Sequence, residues 1–287
     1  MSSVWGDIPE GDFATLWSLR VYLPRRNGIE KRKKEKKGVE IMSNIETLQQ
    51  WIDESHRIVF FGGAGVSTES GIPDFRSQDG LYHQEYKYPP ETIVSHTFYV
   101  RNPQEFYRFY RDKMIITTAE PNAAHKKLAE LEEAGKLTAI VTQNIDGLHQ
   151  KAGSKNVFEL HGSTLRNYCE RCHQFFDVDY IMNYRNPENG DVPLCDACGG
   201  PIKPDVVLYE EGLDNRVISG AISAISEADM LIIGGTSLVV YPAAGLIDYY
   251  RGNKLVLINK SNTSADARAN LVIHDAIGEV LGQIEVR

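Results

Sequence analysis

The cysteines of this 287-residue chain fall in two tight pairs, Cys169-x-x-Cys172 and Cys195-x-x-Cys198, with residues 173–194 between them. Two knuckles of this spacing bring four thiolates to one tetrahedral zinc ion, and a shell closed by sulfur leaves no position for a substrate. A redox dithiol would need only one pair, and disulfides are disfavoured in a reducing compartment. No cysteine is left over, so the pattern reads as one structural Zn2+ that folds a ribbon too small to own a core. His173 adjoins the first knuckle and reads as a bystander.

The rest of the chain has another rhythm. Short apolar runs at residues 57–61, 137–141, 230–233, 254–258 and 271–273 alternate with helical segments at 121–134 and 214–227. Near residue 42, Ile45, Leu48, Trp51 and Ile52 form a helical stripe, with Ser43 and Glu46 at capping-box spacing. Strands alternating with helices predict an α/β fold, a doubly wound, mainly parallel Rossmann-like sheet. Two stretches break the rhythm. Residues 78–118, rich in Tyr, Phe and Arg, read as an irregular lid followed by a helix, and residues 168–201 carry the cysteines. The expected division is a large lobe of 42–77, 119–167 and 202–287, with 78–118 and 168–201 inserted as a smaller zinc-ribbon and helical lobe.

Residues 1–41 stand apart. The run Lys31-Arg32-Lys33-Lys34-Glu35-Lys36-Lys37 has nothing to bury. It reads as a solvated extension, as a tail for nucleic acid or a partner, or as sequence ahead of a true start at Met42. Over the whole chain 31 basic residues face 39 acidic ones, a net charge of −8. That balance argues against nucleic-acid binding through a global field and suits a basic partner, such as a lysine-bearing protein segment. No run approaches the ~18 apolar residues needed to span a bilayer. Asp7, Glu10 and Asp12 spoil the order of a secretion signal, so a cytoplasmic location is expected.

After the first apolar run comes Gly62-Gly63-Ala64-Gly65-Val66-Ser67-Thr68-Glu69-Ser70-Gly71. Glycines here let backbone amides approach a pyrophosphate, although a glycine-rich turn alone is weak evidence and the spacing departs from G-x-G-x-x-G. The residues beyond the turn argue against hydride chemistry. The helix is interrupted by Gly71-Ile72-Pro73-Asp74-Phe75-Arg76, and the next strand ends in Thr142-Gln143-Asn144-Ile145-Asp146. Amides and carboxylates at a strand's carboxyl end lie over the switch-point crevice of such a sheet, where a reacting centre belongs.

These residues resemble the signatures of the sirtuin family of NAD-dependent protein deacylases, in the bacterial manner. Gly63-Ala64-Gly65-Val66-Ser67 with 71–76 resembles the first, and Thr142 through His149 the second. Leu160-His161-Gly162 resembles the third, Gly235-Thr236-Ser237-Leu238 with Val240 and Pro242 the fourth, and Ile258-Asn259 the fifth. The likeness runs from about Met42 to the carboxyl end.

The resemblance implies that NAD is consumed as acetyl and other neutral acyl groups leave protein lysines, giving nicotinamide, O-acyl-ADP-ribose and free lysine. His161 would be the general base, with Asn144 and Asp146 holding the ribose and nicotinamide end, Ile145 beside them and Gln143 on a ribose hydroxyl. Ile72 and Asp74 would line the nicotinamide pocket. Phe75 would shield the anomeric carbon, and Arg76 would order the lid and phosphates. Gly63, Ala64, Gly65, Gly235, Thr236 and Ser237 would cradle phosphate, Asn259 would meet the adenosine ribose, and Ile277 completes the cofactor set. His125 and His149 would be structural.

An acyl-lysine peptide would add as a strand along Val206-Val207-Leu208-Tyr209 and the segment near Thr236 to Tyr241. Where the family often has Phe-Gly-Glu, this chain has Tyr209-Glu210-Glu211, and the added acid would favour basic flanks. Desuccinylating relatives carry a Tyr-x-x-Arg fork. Here Tyr107, Tyr110 and Arg111 miss that spacing, which points to neutral acyl groups. A monomer acting on acylated-lysine proteins is expected. A mono-ADP-ribosyltransferase and a non-catalytic NAD-sensing module stay open beside this reading, with a dehydrogenase behind them.

Overall fold

The computed structural model describes residues 42–74 and 87–287. The readings made of residues 1–41, and of Phe75 and Arg76, lie outside the described residues. In chain order the strands are β1 (Ile58–Gly62), β2 (Leu137–Thr142), β3 (Val157–Glu159), β4 (Gly162–Cys169), β5 (Phe175–Asp177), β6 (Ile202–Val206), β7 (Met230–Gly234), β8 (Leu255–Ile258) and β9 (Leu271–Ile273). The helices are α1 (residues 42–54), α2 (Pro90–Ile93), α3 (His96–Arg101), α4 (Pro103–Phe109), α5 (Ala123–Glu133), α6 (Leu148–Lys151), α7 (Val178–Asn183), α8 (Asn215–Glu227) and α9 (Ile277–Gly282).

Six strands form one sheet in the order β3-β2-β1-β7-β8-β9, and every neighbouring pair is parallel. Strands β1, β7 and β8 are buried along their whole length, as expected of a sheet covered on both faces. Their side chains alternate between two cores. Ile58 and Phe60 join α1, α5 and α9 through Leu48, Leu128 and Val280, whereas Val59 and Phe61 join α8 and the 3₁₀ segment Ala243–Tyr249 through Ile225 and Leu246. The chain steps outward from β1 through β2 to β3, then returns to β7 beside β1 and steps outward the other way. That reversal opens a crevice at the carboxyl ends of β1 and β7. Each apolar run read from the sequence corresponds to a strand within a residue or so. Ser43 lies inside α1 rather than capping it.

The second sheet is antiparallel, in the order β5-β4-β6. It spans Gly162 to Val206, so a division drawn at residues 168 and 201 cuts through β4 and separates it from β6, which begins at Ile202. Of the stretch read as an irregular lid followed by a helix, residues 87–118 are described, and they are largely helical. Pro90 and Pro103 open α2 and α4, the Ser95 hydroxyl caps α3 at the Phe98 amide (3.2 Å), and Tyr110–Met114 forms a π turn. These helices and the ribbon share a third core, in which Tyr99, Phe106, Tyr107 and Tyr110 pack with Cys169, Cys195 and Ile202.

The four cysteine sulfurs lie within 4.8 Å of one another. Cys169 Sγ and Cys198 Sγ are 3.4 Å apart, and Cys172 Sγ and Cys195 Sγ 3.6 Å. Zinc–sulfur bonds of about 2.3 Å put tetrahedral sulfurs about 3.8 Å apart, whereas disulfide sulfurs sit at about 2.05 Å. The set therefore fits one zinc ion, and all four thiols are free. The amides of Arg171 and Cys172 point at Cys169 Sγ (3.4 and 3.5 Å), which favours the thiolate that a metal needs. His173 is not in the cluster. Among the described residues no helix is long and apolar enough to cross a membrane.

One zinc per chain is expected by atomic absorption. Cys195→Ala should lose it and lower the thermal midpoint by roughly 10 °C, since the metal's binding energy is folding energy for the ribbon. A metal-free preparation with an unaltered midpoint would contradict the assignment.

Candidate active site

At the crevice two loops touch backbone to backbone. The Gly65 amide donates to the Gly235 carbonyl at 2.8 Å, and the Gly63 amide to the Gly234 carbonyl at 3.3 Å. A Cβ on Gly65 would stand 2.8 Å from the Gly235 backbone, and Gly235 itself has φ +57, so both positions require glycine. Beyond Gly65 the chain makes two 3₁₀ turns, Ala64–Val66 and Thr68–Ser70, and leaves through Gly71 at φ +81. The Glu69 carboxylate accepts the Gly278 amide at the start of α9 (2.7 Å), which draws Ile277 to the same place.

The result is an open cleft of about 970 Å³. Gly63, Ala64, Gly65, Ile72 and Asp74 line it from the loop after β1. Gln143, Asn144, Ile145 and Asp146 line it from the loop after β2, and His161 from the turn after β3. Gly235, Thr236 and Ser237 come from the loop after β7, Asn259 from the end of β8, and Ile277 from α9. Val206, Val207, Leu208 and Tyr209 form a wall on the small-lobe side. Every described residue with a catalytic or cofactor-binding role expected from the sequence borders this one cleft, together with Val206 to Tyr209.

Its polar centre is a hydrogen-bonded chain. Asn144, 8% exposed, donates through Nδ2 to Ser67 Oγ at 3.0 Å, and Ser67 donates to Asp146 Oδ2 at 2.6 Å. Asp146 Oδ1 accepts the Leu148 amide (2.9 Å), and the Asn144 amide reaches Thr142 Oγ1 (3.0 Å). Gln143 Nε2 donates to Thr236 Oγ1 (3.0 Å), joining the loops after β2 and β7. Sequence reasoning gave Ser67 and Thr142 no role. The available signal was that a buried carboxamide and a carboxylate must find partners, and Ser67 is the hydroxyl nearest the glycine turn.

His161 Nδ1 lies 2.9 Å from the Gln143 carbonyl. That acceptor requires the proton on Nδ1 and leaves Nε2 with a free lone pair. Burial pushes the His161 pKa down, against the pull of the Gln143 carbonyl, so the imidazole is neutral at pH 7 and ready to take a proton. His161 and Asn144 face one cavity. Apolar Val94, Met114 and Ile116 border the cleft as well. Tyr107, Tyr110 and Arg111 do not. The Tyr107 hydroxyl donates to the Ile202 carbonyl, and Arg111 Nε and Nη2 bind the carbonyls of Ile181 and Asp191 (2.8 and 2.6 Å).

Behind the cleft sit two other imidazoles. His125 and His149 are fully buried, with ring centroids 4.8 Å apart, and His149 packs on Phe60. His125 Nδ1 accepts the Asn122 amide in a capping box, while His125 Nε2 and both nitrogens of His149 lack partners.

The Sir2 family profile matches residues 63–242, which hold both lips of the crevice. Over 243 residues the chain is 64% identical to an NAD-dependent protein deacetylase of Clostridium perfringens, covering 84% of this chain and 98% of that protein. The chain belongs to the Sir2 family. A second NAD-dependent protein deacetylase, from Clostridium acetobutylicum, is 60% identical with the same coverage. A Sir2 structure with a p53 peptide and NAD+ has a TM-score of 0.73 at 41% identity, covering 83% of this chain and 95% of that one. Another, bound to acetylated peptide, also has a TM-score of 0.73 at 39% identity, with the same coverage. The Sir2 fold thus carries the cleft, and the two buried histidines belong to its support.

Burial lowers the pKa of His125 from 6.5 to about 4 and that of His149 to about 3. Above pH 6.5 both imidazoles are neutral in the folded and unfolded chain, so they carry no penalty. As pH falls, the unfolded chain takes up protons that the folded chain refuses. Stability then drops by about 1.4 kcal/mol per pH unit for each group until the folded pKa values are reached. Denaturant unfolding between pH 7 and 4.5 should show this loss, and His149→Leu should flatten it. Parallel curves for the two proteins would contradict the account.

Proposed function

We propose that this Sir2-family chain is an NAD-dependent protein deacetylase that uses NAD and one water to remove acetyl and other neutral acyl groups from lysine side chains, releasing nicotinamide, free lysine and O-acyl-ADP-ribose. The observation that carries the reading is the neutral His161 sharing one cleft with the Asn144–Ser67–Asp146 chain. Residues 42–287 are the catalytic domain, working as a cytoplasmic monomer on acylated-lysine proteins, without membrane or nucleic acid.

NAD brings a glycosidic bond to nicotinamide, whose departure leaves the ribose carbon open to the acyl oxygen. The chain's residues position that event. The loop after β1, with Thr236 and Ser237, receives the pyrophosphate, and Gly63, Gly65 and Gly235 let the backbone come close. Asn259 and Ile277 take the adenosine end. Asn144 and Asp146, held rigid by Ser67, orient the ribose and nicotinamide with Ile72, Asp74, Gln143 and Ile145. His161 Nε2 takes the proton from a ribose hydroxyl, and the proton it gains stays on an imidazole braced by the Gln143 carbonyl.

On the small-lobe side the amides of Val207, Leu208 and Tyr209 are bonded to the His161 carbonyl, the Glu211 carboxylate and the Val94 carbonyl. A peptide strand therefore meets this wall through carbonyls and the Glu210 amide. Val94, Met114, Ile116 and Leu208 supply an apolar path for the acyl chain. With Tyr107, Tyr110 and Arg111 turned into the small-lobe core, they form no fork for an acyl carboxylate, which supports neutral acyl groups.

The test is NAD plus an acetyl-lysine peptide, with wild type beside His161→Tyr. Deacetylation should fall by about 10³-fold, within the range of a lost general base, while NAD binding is largely kept. The acid limb of the wild-type rate should titrate below the ordinary histidine value of 6.5, because the base works neutral. A succinyl peptide should turn over at least about tenfold more slowly than the acetyl one. An ADP-ribose adduct on protein without deacylation would select the transferase instead.

A further inference from the structure

We propose that Arg166 is a positioning residue that clamps the turn carrying His161 to the strand leading into the peptide-binding wall, and this rests on the deacetylase reading above. Arg166 lies on β4 and reaches in two directions. Its Nη1 meets Glu159 Oε2 at 2.7 Å, and its Nε meets Asp205 Oδ2 at 2.7 Å. Glu159 closes β3 two residues before His161, and Asp205 lies on β6 immediately before Val206. One guanidinium thus ties the edge strand of the large sheet to the edge strand of the small one.

Between those arms the backbones already touch. The Val207 amide donates to the His161 carbonyl at 3.0 Å. Gly162 has φ +75, and a Cβ there would stand 1.9 Å from the Asp205 carbonyl oxygen. The base-bearing turn and the peptide wall are therefore one unit whose spacing cannot relax independently. Only a planar fork serves both carboxylates at once, so lysine is a partial substitute. The two arms differ in weight. The Glu159 side chain is 10% exposed and that of Asp205 41%. An ion pair near water contributes little, whereas a buried carboxylate stripped of its partner is strongly unfavourable. The Glu159 arm dominates.

Steady-state kinetics with NAD and an acetyl-lysine peptide test the clamp in zinc-loaded protein. Arg166→Met should raise the peptide KM and lower kcat/KM for peptide by about tenfold, with the NAD KM within about twofold, because misalignment falls between base and peptide and leaves the phosphate loops alone. Arg166→Lys should recover part of the loss, and Asp205→Asn, which frees the more exposed arm, should show a smaller loss of the same peptide-selective kind, about threefold. Wild-type peptide kinetics in Arg166→Met would overturn the proposal, as would an NAD KM rising in step with the peptide KM. If Arg166→Met does not fold, Glu159→Gln/Arg166→Met removes the stranded charge and must show the same selective loss, and wild-type kinetics there overturn it equally. A wild-type protein inactive on every acyl peptide would instead sink the deacetylase reading.

Discussion

The contact between the Gly65 amide and the Gly235 carbonyl sets the geometry on which the rest of the site depends. It joins the loops that leave two adjacent parallel strands just where the strand order reverses. Because neither glycine carries a side chain, the loops approach closely enough to leave a narrow floor between them. On that floor Gln143 can reach Thr236, and Ser67 can sit between Asn144 and Asp146. Widening the contact by one methyl group would separate the glycine loop proposed to cradle phosphate from the amides proposed to hold the ribose. The two requirements that the proposed function places on the crevice, closeness for an anion and fixed polar groups for a sugar, would be met by one backbone contact.

The small lobe solves a different problem. Its three short strands cannot bury enough apolar surface alone, so the cysteine knuckles and the aromatic helices complete one core together. This matters for the cleft because β4 begins one residue after His161, and β6 runs directly into the Val206–Tyr209 wall. Metal loading, packing of the helices at 87–118 and the placement of His161 are therefore linked through a few residues of continuous chain.

How much of this could be read from the sequence depends on where each signal lives. Strands β1, β7 and β8 are unbroken apolar runs because both faces are covered, and α5 and α8 end within a residue or so of where sequence placed them. Strands β3, β4 and β6 carried no such mark. β3 is three half-buried residues, and β4 mixes Arg166 and Asn167 with Leu165, so pairing alone defines them. In the site, Gly63, Gly65, Asn144, Asp146 and His161 stood out as residue types whose local context announces chemistry. Ser67, Thr142 and Arg166 did not. Ser67 meets Asp146 from 79 positions away, and Arg166 meets Asp205 from 39, separations at which a lone sequence says nothing about contact.

The Tyr209-Glu210-Glu211 departure from the family pattern shows how the fold absorbs a local violation. Glu210 stands where the family often has glycine, and its φ of +78 lies in the region that favours glycine. Such a residue is strained on the order of 1 kcal/mol. Its carboxylate accepts the Thr97 amide (2.8 Å) in the first turn of α3, one of the amides a helix leaves unsatisfied. Next to it, Glu211 binds His96, Lys203 and the Leu208 amide at once (2.8, 3.0 and 2.9 Å). Glycine would relieve the backbone and forfeit the cap, whereas glutamate accepts strain and gains an anchor between the peptide wall and the lid. Both carboxylates thus hold the loop in place, and their charge acts on a bound peptide only after these partners have taken their share.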